Sequence, residues 1–226
     1  MVDVVERAPD GRRARWAEHR VERRADFVAA GAAAVDRFGP DVSAEQIAEV
    51  AGISRTVLYR YFRDREDLRQ AVGEHVVDQV IETVGAHLEV GADSTPQVII
   101  ETTVTAIIDW FDAHPNRYYF VRSLQNGSLE RAEASLADRI GVLLKLFMML
   151  FGVDADSAEP GAYGIVGLVE SSAAWWLTRR TMSRDRLVEL LSRSIWAIIE
   201  STARELGIEV GYTDTLPVDG LLGPAD

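Results

Sequence analysis

Apolar side chains recur every three or four residues along nearly all of this chain, and nowhere does a sustained alternation of apolar and polar residues run between turn residues. A helix turns once in about 3.6 residues, so this spacing gathers the apolar groups on one stripe, whereas a half-buried strand needs a period of two. The chain is therefore expected to be all-α. Local stops divide it. A first helix from about Glu18 to Phe38 presents Phe27, Gly31, Ala34 and Phe38 on one face and ends at Gly39-Pro40. Ser43, with Gln46 three residues on, forms a capping box for a second short helix that Gly52 ends. Ser54 caps a third, Arg55 to about Phe62, and Asp64 a fourth, Arg65 to about Val90, along which Leu68, Val72, Val76, Val80 and Val84 make a ridge. Further helices are predicted at Gln97–Ala113, Pro115–Leu124, Leu129–Phe151, Gly161–Thr181 and Arg184–Leu206, followed by a tail that is loose or held only by docking.

Charge is unevenly spread. The net charge is -12, yet residues 1–70 hold 13 Arg against 13 acidic residues, and residues 71–226 hold 11 basic against 23 acidic. Two basic clusters stand out: Arg12, Arg13, Arg15, Arg20, Arg23 and Arg24, and then Arg55, Arg60, Arg63 and Arg65. A solvated tail explains the first taken alone; phosphate binding explains both. The chain has no cysteine, which excludes thiol nucleophiles, disulfides and thiolate metal sites and suits a cytoplasmic protein. Its longest run without charge, Pro160 to Val169, is about half a membrane span, and Met1–Pro9 lacks a secretory pattern, so no membrane association is expected.

Two short helices joined through Ala51-Gly52-Ile53, the second basic and polar at its start, make a helix-turn-helix pattern, which seats its second helix in a major groove. The run from Val42 to Leu68 adds Ile47-Ala48, Ala51-Gly52, the capping Ser54, Leu58-Tyr59, Tyr61-Phe62 and Arg65-Glu66-Asp67-Leu68. In these motifs, over about residues 20–70, the chain closely resembles the TetR family of bacterial transcriptional regulators. It departs from the family pattern at Thr56-Val57, where Gly or Ala followed by Thr is usual, and at Arg65, where Lys is usual.

The resemblance implies four parts: a flexible basic arm (1–17), a three-helix DNA-binding domain (18–70) joined by the long helix to a helical ligand-binding and dimerisation domain (71–206), and the tail (207–226). By family position, Ser43 reaches phosphate, Arg55 and Thr56 meet base edges or phosphates, Tyr59 and Tyr61 clamp phosphates, and Arg65 adds a charge contact. Val57 is limited to a thymine methyl, and Arg55 is the favoured base reader, since guanidinium grips guanine bidentately. Plain packing is the competing account of the tyrosines, and a mobile tail that of the arm.

A lone three-helix reader gains little specificity, so a homodimer on a palindromic double-stranded operator is expected. The resemblance assigns its interface to the last two helices, where Val166, Val169, Ala173 and Trp176, and Leu187, Leu190, Leu191, Ile195, Ile198 and Ile199, form apolar faces; closure of the monomer core is the alternative. Trp110, Tyr118, Tyr119, Phe147, Met148 and Trp175 are candidates for a ligand pocket, although aromatic stripes are more often core. Inward-facing Glu101, Asp109 or Glu170 would favour a cationic lipophilic ligand. The implied function is a repressor released by a lipophilic small molecule, with a constitutive or ligand-activated regulator as the alternative.

An all-α metal-carboxylate enzyme is the rival of a different class. Its Glu-x-x-His signature is missing, because His19, His75, His87 and His114 follow Trp16, Val72, Val84 and Phe111 at that offset. No phosphate loop or nucleophile elbow stands out, so no catalytic residue, metal or cofactor is expected.

Overall fold

The computed structural model describes residues 11–88, 94–124, 127–150 and 158–216, with side chains from residue 18 onward except those at 128, 129, 147 and 150. The described residues are helical throughout, in the order α1 (Gly11–Phe38), α2 (Ala44–Val50), α3 (Arg55–Leu58), α4 (Arg65–Gly85), α5 (Pro96–Ala113), α6 (Pro115–Ser123), α7 (Ser128–Leu150), α8 (Ala158–Arg179) and α9 (Arg184–Glu205).

Helix α1 starts at Gly11 rather than Glu18, so the stretch expected to be a flexible arm is helical backbone from that point. Arg and Ala are strong helix formers and no Pro interrupts them before Gly39, whose φ of 94° lets the chain turn away. Ser43 closes the expected capping box: its side chain accepts from the Gln46 amide at 3.2 Å, and Gln46 Oε1 accepts from the Ser43 amide at 2.8 Å. Helix α3 stops at Leu58, four residues short of expectation, because Arg60 and Tyr61 donate their amides to the carbonyls of Val57 and Leu58 in a tighter turn. Leu58 and Phe62 still reach one core with Phe27, Val35, Ile47, Leu68 and Val72.

Helices α1 and α4 cross at close range, since a Cβ on Gly31 would overlap the Val72 side chain. Gly73 does the same service one face round, where Leu124 and Phe120 of the α6 region press on α4. Phe120, Val121 and Leu124 therefore belong to the core of the first three helices. The upper half of α4, with Val80 and Val84, enters a second core built with α5, α8 and α9. One straight helix thus serves both cores. It ends at Gly85, before the expected Val90, and turns through Ala86 to Leu88.

The tail was expected to be loose or held only by docking, and its described part is docked. Ile208 is buried, Tyr212 stacks on Trp196 with ring centroids 5.2 Å apart, and the Gln97 amide donates to the Tyr212 carbonyl at 2.9 Å. The Leu216 amide donates to the Ser94 carbonyl at 2.9 Å, which fixes the chain across the start of α5. An isolated reading of Gly and Pro spacing does not place such docking, because it depends on the surface the tail meets.

Candidate nucleic-acid interface and ligand cavity

Helix α2, the Ala51–Ile53 turn and α3 expose a polar edge. Gly52 makes the turn possible with φ 66°, and Ser54 caps α3 by accepting from the Val57 amide at 3.3 Å. Arg55 and Thr56 are exposed at its start, Val57 is half-buried, and Leu58 beneath them is fully buried. Arg55 Nη1 lies 2.6 Å from Glu45 Oε1, and its guanidinium covers the Tyr59 ring at 5.3 Å from the centroid. A hydrogen bond from its own backbone amide, and then the neighbouring charge of Arg55, hold the Glu45 carboxyl below its ordinary value.

Ser43 Oγ accepts from the Gln46 amide in its capping box, and its hydroxyl also helps to hold the Glu45 carboxyl below its ordinary value. Tyr59 and Tyr61 are half-buried; Tyr61 packs edge-on against Phe27, with centroids 5.0 Å apart, so packing and an accessible hydroxyl coexist. Arg65 is exposed in the first turn of α4. The basic run of α1 meets this edge: Arg20 donates to the Arg60 carbonyl at 3.1 Å, and Arg24 covers Phe62 and pairs with Asp67. Of the seven sequence-derived positions the structure brings Arg55 onto Tyr59, with Thr56 and Val57 beside Arg55 on α3; Ser43 caps α2, Tyr61 packs on α1 and Arg65 stands in the first turn of α4.

Behind this edge a polar clamp joins α1 to α6. Arg117 donates from Nε at 3.0 Å and from Nη2 at 2.6 Å to the Asp36 carboxylate, and from Nη1 at 2.6 Å to Gln79 of α4. His114 Nδ1 stands 3.3 Å from the same carboxylate, and the Asn116 amide donates to the Asp36 carbonyl at 3.1 Å. Nothing in local spacing signalled this cluster, because its members lie about eighty residues apart in the chain.

The residue after Arg117 faces the other way. Tyr118 helps to line a cavity of about 560 Å³ between α4, α5, α7, α8 and α9, with Leu216 of the docked tail in its wall. The wall is mostly aliphatic, from Val80 and Val84, Ile100 and Ile107, Leu136 and Ile140, to Ile195 and Ile199. Its ionisable groups are Tyr118, Glu133 and Glu170. Tyr118 donates to Glu170 Oε1 at 2.6 Å and accepts from Arg122 at 2.6 Å. Burial first, and then the Glu170 hydrogen bond, push the Tyr118 phenol up to about 12.

Of the pocket candidates, Trp110 and Tyr118 line this cavity. Tyr119 is exposed and meets Thr178, Trp175 stands outward on α8, and Met148 lies in a minor gap between α7, α8 and α9, so these three are corrected. The Phe147 side chain lies outside the described residues. Among the acids, Glu170 points inward, while Glu101 bonds to Gln97 and Tyr212, and Asp109 pairs with Arg184. Glu133 escaped notice; the stripe of Leu136, Ile140 and Leu143, run back by one turn, would have found it.

The residues expected between protomers are mostly interior. Ala173, Trp176, Leu187 and Leu191 are buried in the second core; Val166, Val169 and Ile195 line the cavity; Ile198 borders the minor gap. An apolar stripe this strong points into its own protomer, where burial is greatest. Leu190, also expected on the α9 face, is exposed; with it the outer faces carry Tyr163, Gly164, Gly167, Ser171 and Trp175 on α8, and Ser194, Ala197 and Ser201 on α9, all exposed. Cβ atoms added at Gly161, Gly164 or Gly167 would meet open space. Among the described residues no group of three or more His, Asp or Glu is placed to hold a metal, and no helix is long and apolar enough to cross a membrane.

Residues 27–72 match the family described as bacterial regulatory proteins, tetR family, and residues 68–209 match the tetracyclin repressor-like C-terminal domain. An uncharacterized HTH-type transcriptional regulator of Mycobacterium tuberculosis is 32% identical over 199 residues, covering 84% of this chain and 82% of that protein. The HTH-type transcriptional activator FasR of Mycolicibacterium smegmatis is 26% identical over 185 residues, 78% of this chain and 83% of its own. Among solved structures, a tetR-family regulator from Streptomyces coelicolor superposes with a TM-score of 0.67 at 22% identity, over 81% of this chain and 87% of that one. FadR from Bacillus subtilis, solved in complex with stearoyl-CoA, has a TM-score of 0.57 at 14% identity, over 77% and 96%.

Proposed function

The chain is a transcriptional regulator of the TetR family, and from that membership we propose that it works in the cytoplasm as a homodimeric repressor, released from a palindromic operator by a lipophilic molecule held in the cavity. The observation that carries this reading is the pair Arg117 and Tyr118, adjacent on α6, one clamping Asp36 of the DNA-binding helices and the other lining the cavity. A ligand that displaces Tyr118 from Glu170 moves α6, and with it the anchor of α1.

Such coupling requires that the ligand bind the two arrangements with different affinities; about 1–3 kcal/mol of difference weakens DNA binding roughly 5- to 150-fold. The reader supplies Arg55 and Thr56 to base edges, with Val57 limited to a thymine methyl, and Ser43, Tyr59, Tyr61 and Arg65 to phosphates. Regulators of this family act as dimers, and the outer faces of α8 and α9 fit that role here: small residues let two helix pairs approach closely, and Tyr163, Trp175 and Leu190 give apolar area. Exposed glycines cost a helix about 1 kcal/mol each relative to Ala, which close approach of a partner offsets.

A long acyl chain suits the aliphatic wall, in keeping with the stearoyl-CoA of the Bacillus subtilis structure. A second reading makes the chain an activator of transcription, as the relative FasR is by its name, with the ligand either releasing it from DNA or tightening it there. A gel shift on the DNA upstream of the chain's own gene, with and without long-chain acyl derivatives, gives the sign of the ligand effect, and a reporter fused to that DNA gives the sign of regulation: release with derepression supports the first reading, loss of reporter activity on deleting the protein supports the second, and no retardation on any operator-like fragment contradicts both.

A further inference from the structure

The cavity wall contains no Arg, Lys or His among the described residues, and it contains two carboxylates. Glu170 Oε1 is held by Tyr118, with Arg122 Nη1 3.6 Å away, and Oε2 accepts from the Ser171 hydroxyl at 3.3 Å. Glu133 is half-buried and makes no hydrogen bond or ion pair with another described residue. Its carboxyl is pushed up, by burial first and then by the charges of Glu170 and Glu130, with Arg122 opposing. Arg122 is the nearby cation, and it is committed to Tyr118 and Glu170. An anion that drew Arg122 to itself would leave Glu170 facing the newcomer. Charges in such an apolar setting interact strongly, since little water screens them.

We propose that Glu133 and Glu170 make this cavity selective against lipophilic molecules whose buried end is anionic: a long-chain ester or thioester enters, and the free carboxylate of the same chain length is turned away. The proposal rests on the effector role given to the cavity above. Any ionic portion of the effector then lies outside the wall described here, and the neutral linkage with its chain lies within. The chain's specificity follows from two side chains of the cavity wall, one of which, Glu170, also holds Tyr118.

The test uses the full-length protein loaded with Nile red, a neutral lipophilic dye, and displaces it with methyl hexadecanoate or hexadecanoate at pH 7.5, both below their aggregation limits. The ester is expected to displace the dye at a concentration at least about tenfold lower than the carboxylate. Glu133→Gln, which removes no bond to another described residue, narrows that gap, and adding Glu170→Gln closes it because the carboxylate gains more than the ester from the loss of negative charge. Equal displacement by both lipids in the unaltered protein, or a gap that persists in the double variant, overturns the selectivity and leaves the effector role standing. Failure of the dye and both lipids to enter overturns the effector role as well.

Discussion

Arg55 at the first turn of α3 bonds to Glu45 in the first turn of α2, with 2.6 Å between Nη1 and Oε1, so the guanidinium is held across the face of the reader in the absence of DNA. Both side chains are 59% exposed, so water screens the pair and it is held only weakly. Guanine competes with it readily.

Arg55→Ala is therefore expected to lower discrimination between the operator and a duplex altered at one half-site position by about 1–3 kcal/mol, as measured by fluorescence anisotropy. Tyr59→Phe instead weakens all duplexes alike, because phosphates carry no sequence. An unchanged preference in Arg55→Ala removes Arg55 from the reader.

The clamp gives a second expectation. Arg117 is 11% exposed, so Asp36→Asn leaves its cation short of an anion and lowers stability by about 1–3 kcal/mol in thermal denaturation, after allowance for the partial exposure of Asp36. The same variant keeps its affinity for Nile red and loses most of the effect of the ligand on DNA. Full retention of that effect would show that the coupling runs elsewhere.

Most of the fold, including the helix starts that shape the α2–α3 edge, was legible because its signals are local. Ser43, Ser54 and Asp64 announce helix starts within three residues, and Leu58 and Phe62 state their common core by spacing alone. The reach of α1 to Gly11, the docking of Tyr212 and Leu216, and the Asp36–Arg117 clamp were not legible, since each depends on a surface built from distant parts of the chain. The protomer contact faces were misread for a related reason. Apolar periodicity reports the side of α8 and α9 that is buried most, as Ala173 and Leu191 are, and passes over the small residues Gly167 and Ala197 opposite.

Those small residues carry the third expectation. Gly167→Arg or Ala197→Arg places a charged chain where two helix pairs are proposed to meet, and open space around Gly167 leaves the protomer itself unstrained. Sedimentation should show a shift to monomer with helical circular dichroism intact and operator affinity lost. A dimer that survives both substitutions moves the contact to another face.

Glu133 supplies a dependence on pH. Its folded carboxyl titrates above its ordinary value, so the unfolded chain ionises first as pH rises and ionisation favours unfolding. The penalty is absent below the unfolded value, sets in as pH rises through it toward the folded value, and persists above. Glu133→Gln should raise Tm at about pH 7 and leave it unchanged at about pH 3, where both states are protonated. A variant less stable than the parent at neutral pH contradicts the placement of Glu133 in the apolar wall.

Genome-wide footprinting of the full-length protein, compared with its Arg55→Ala variant, bears most directly on the claim that α3 reads a duplex from a symmetric pair. The account predicts an inverted repeat with half-site centres roughly 34–36 Å apart, occupied by the parent and lost or blurred in the variant. Sites without inverted symmetry, or a footprint identical in the two proteins, would contradict it.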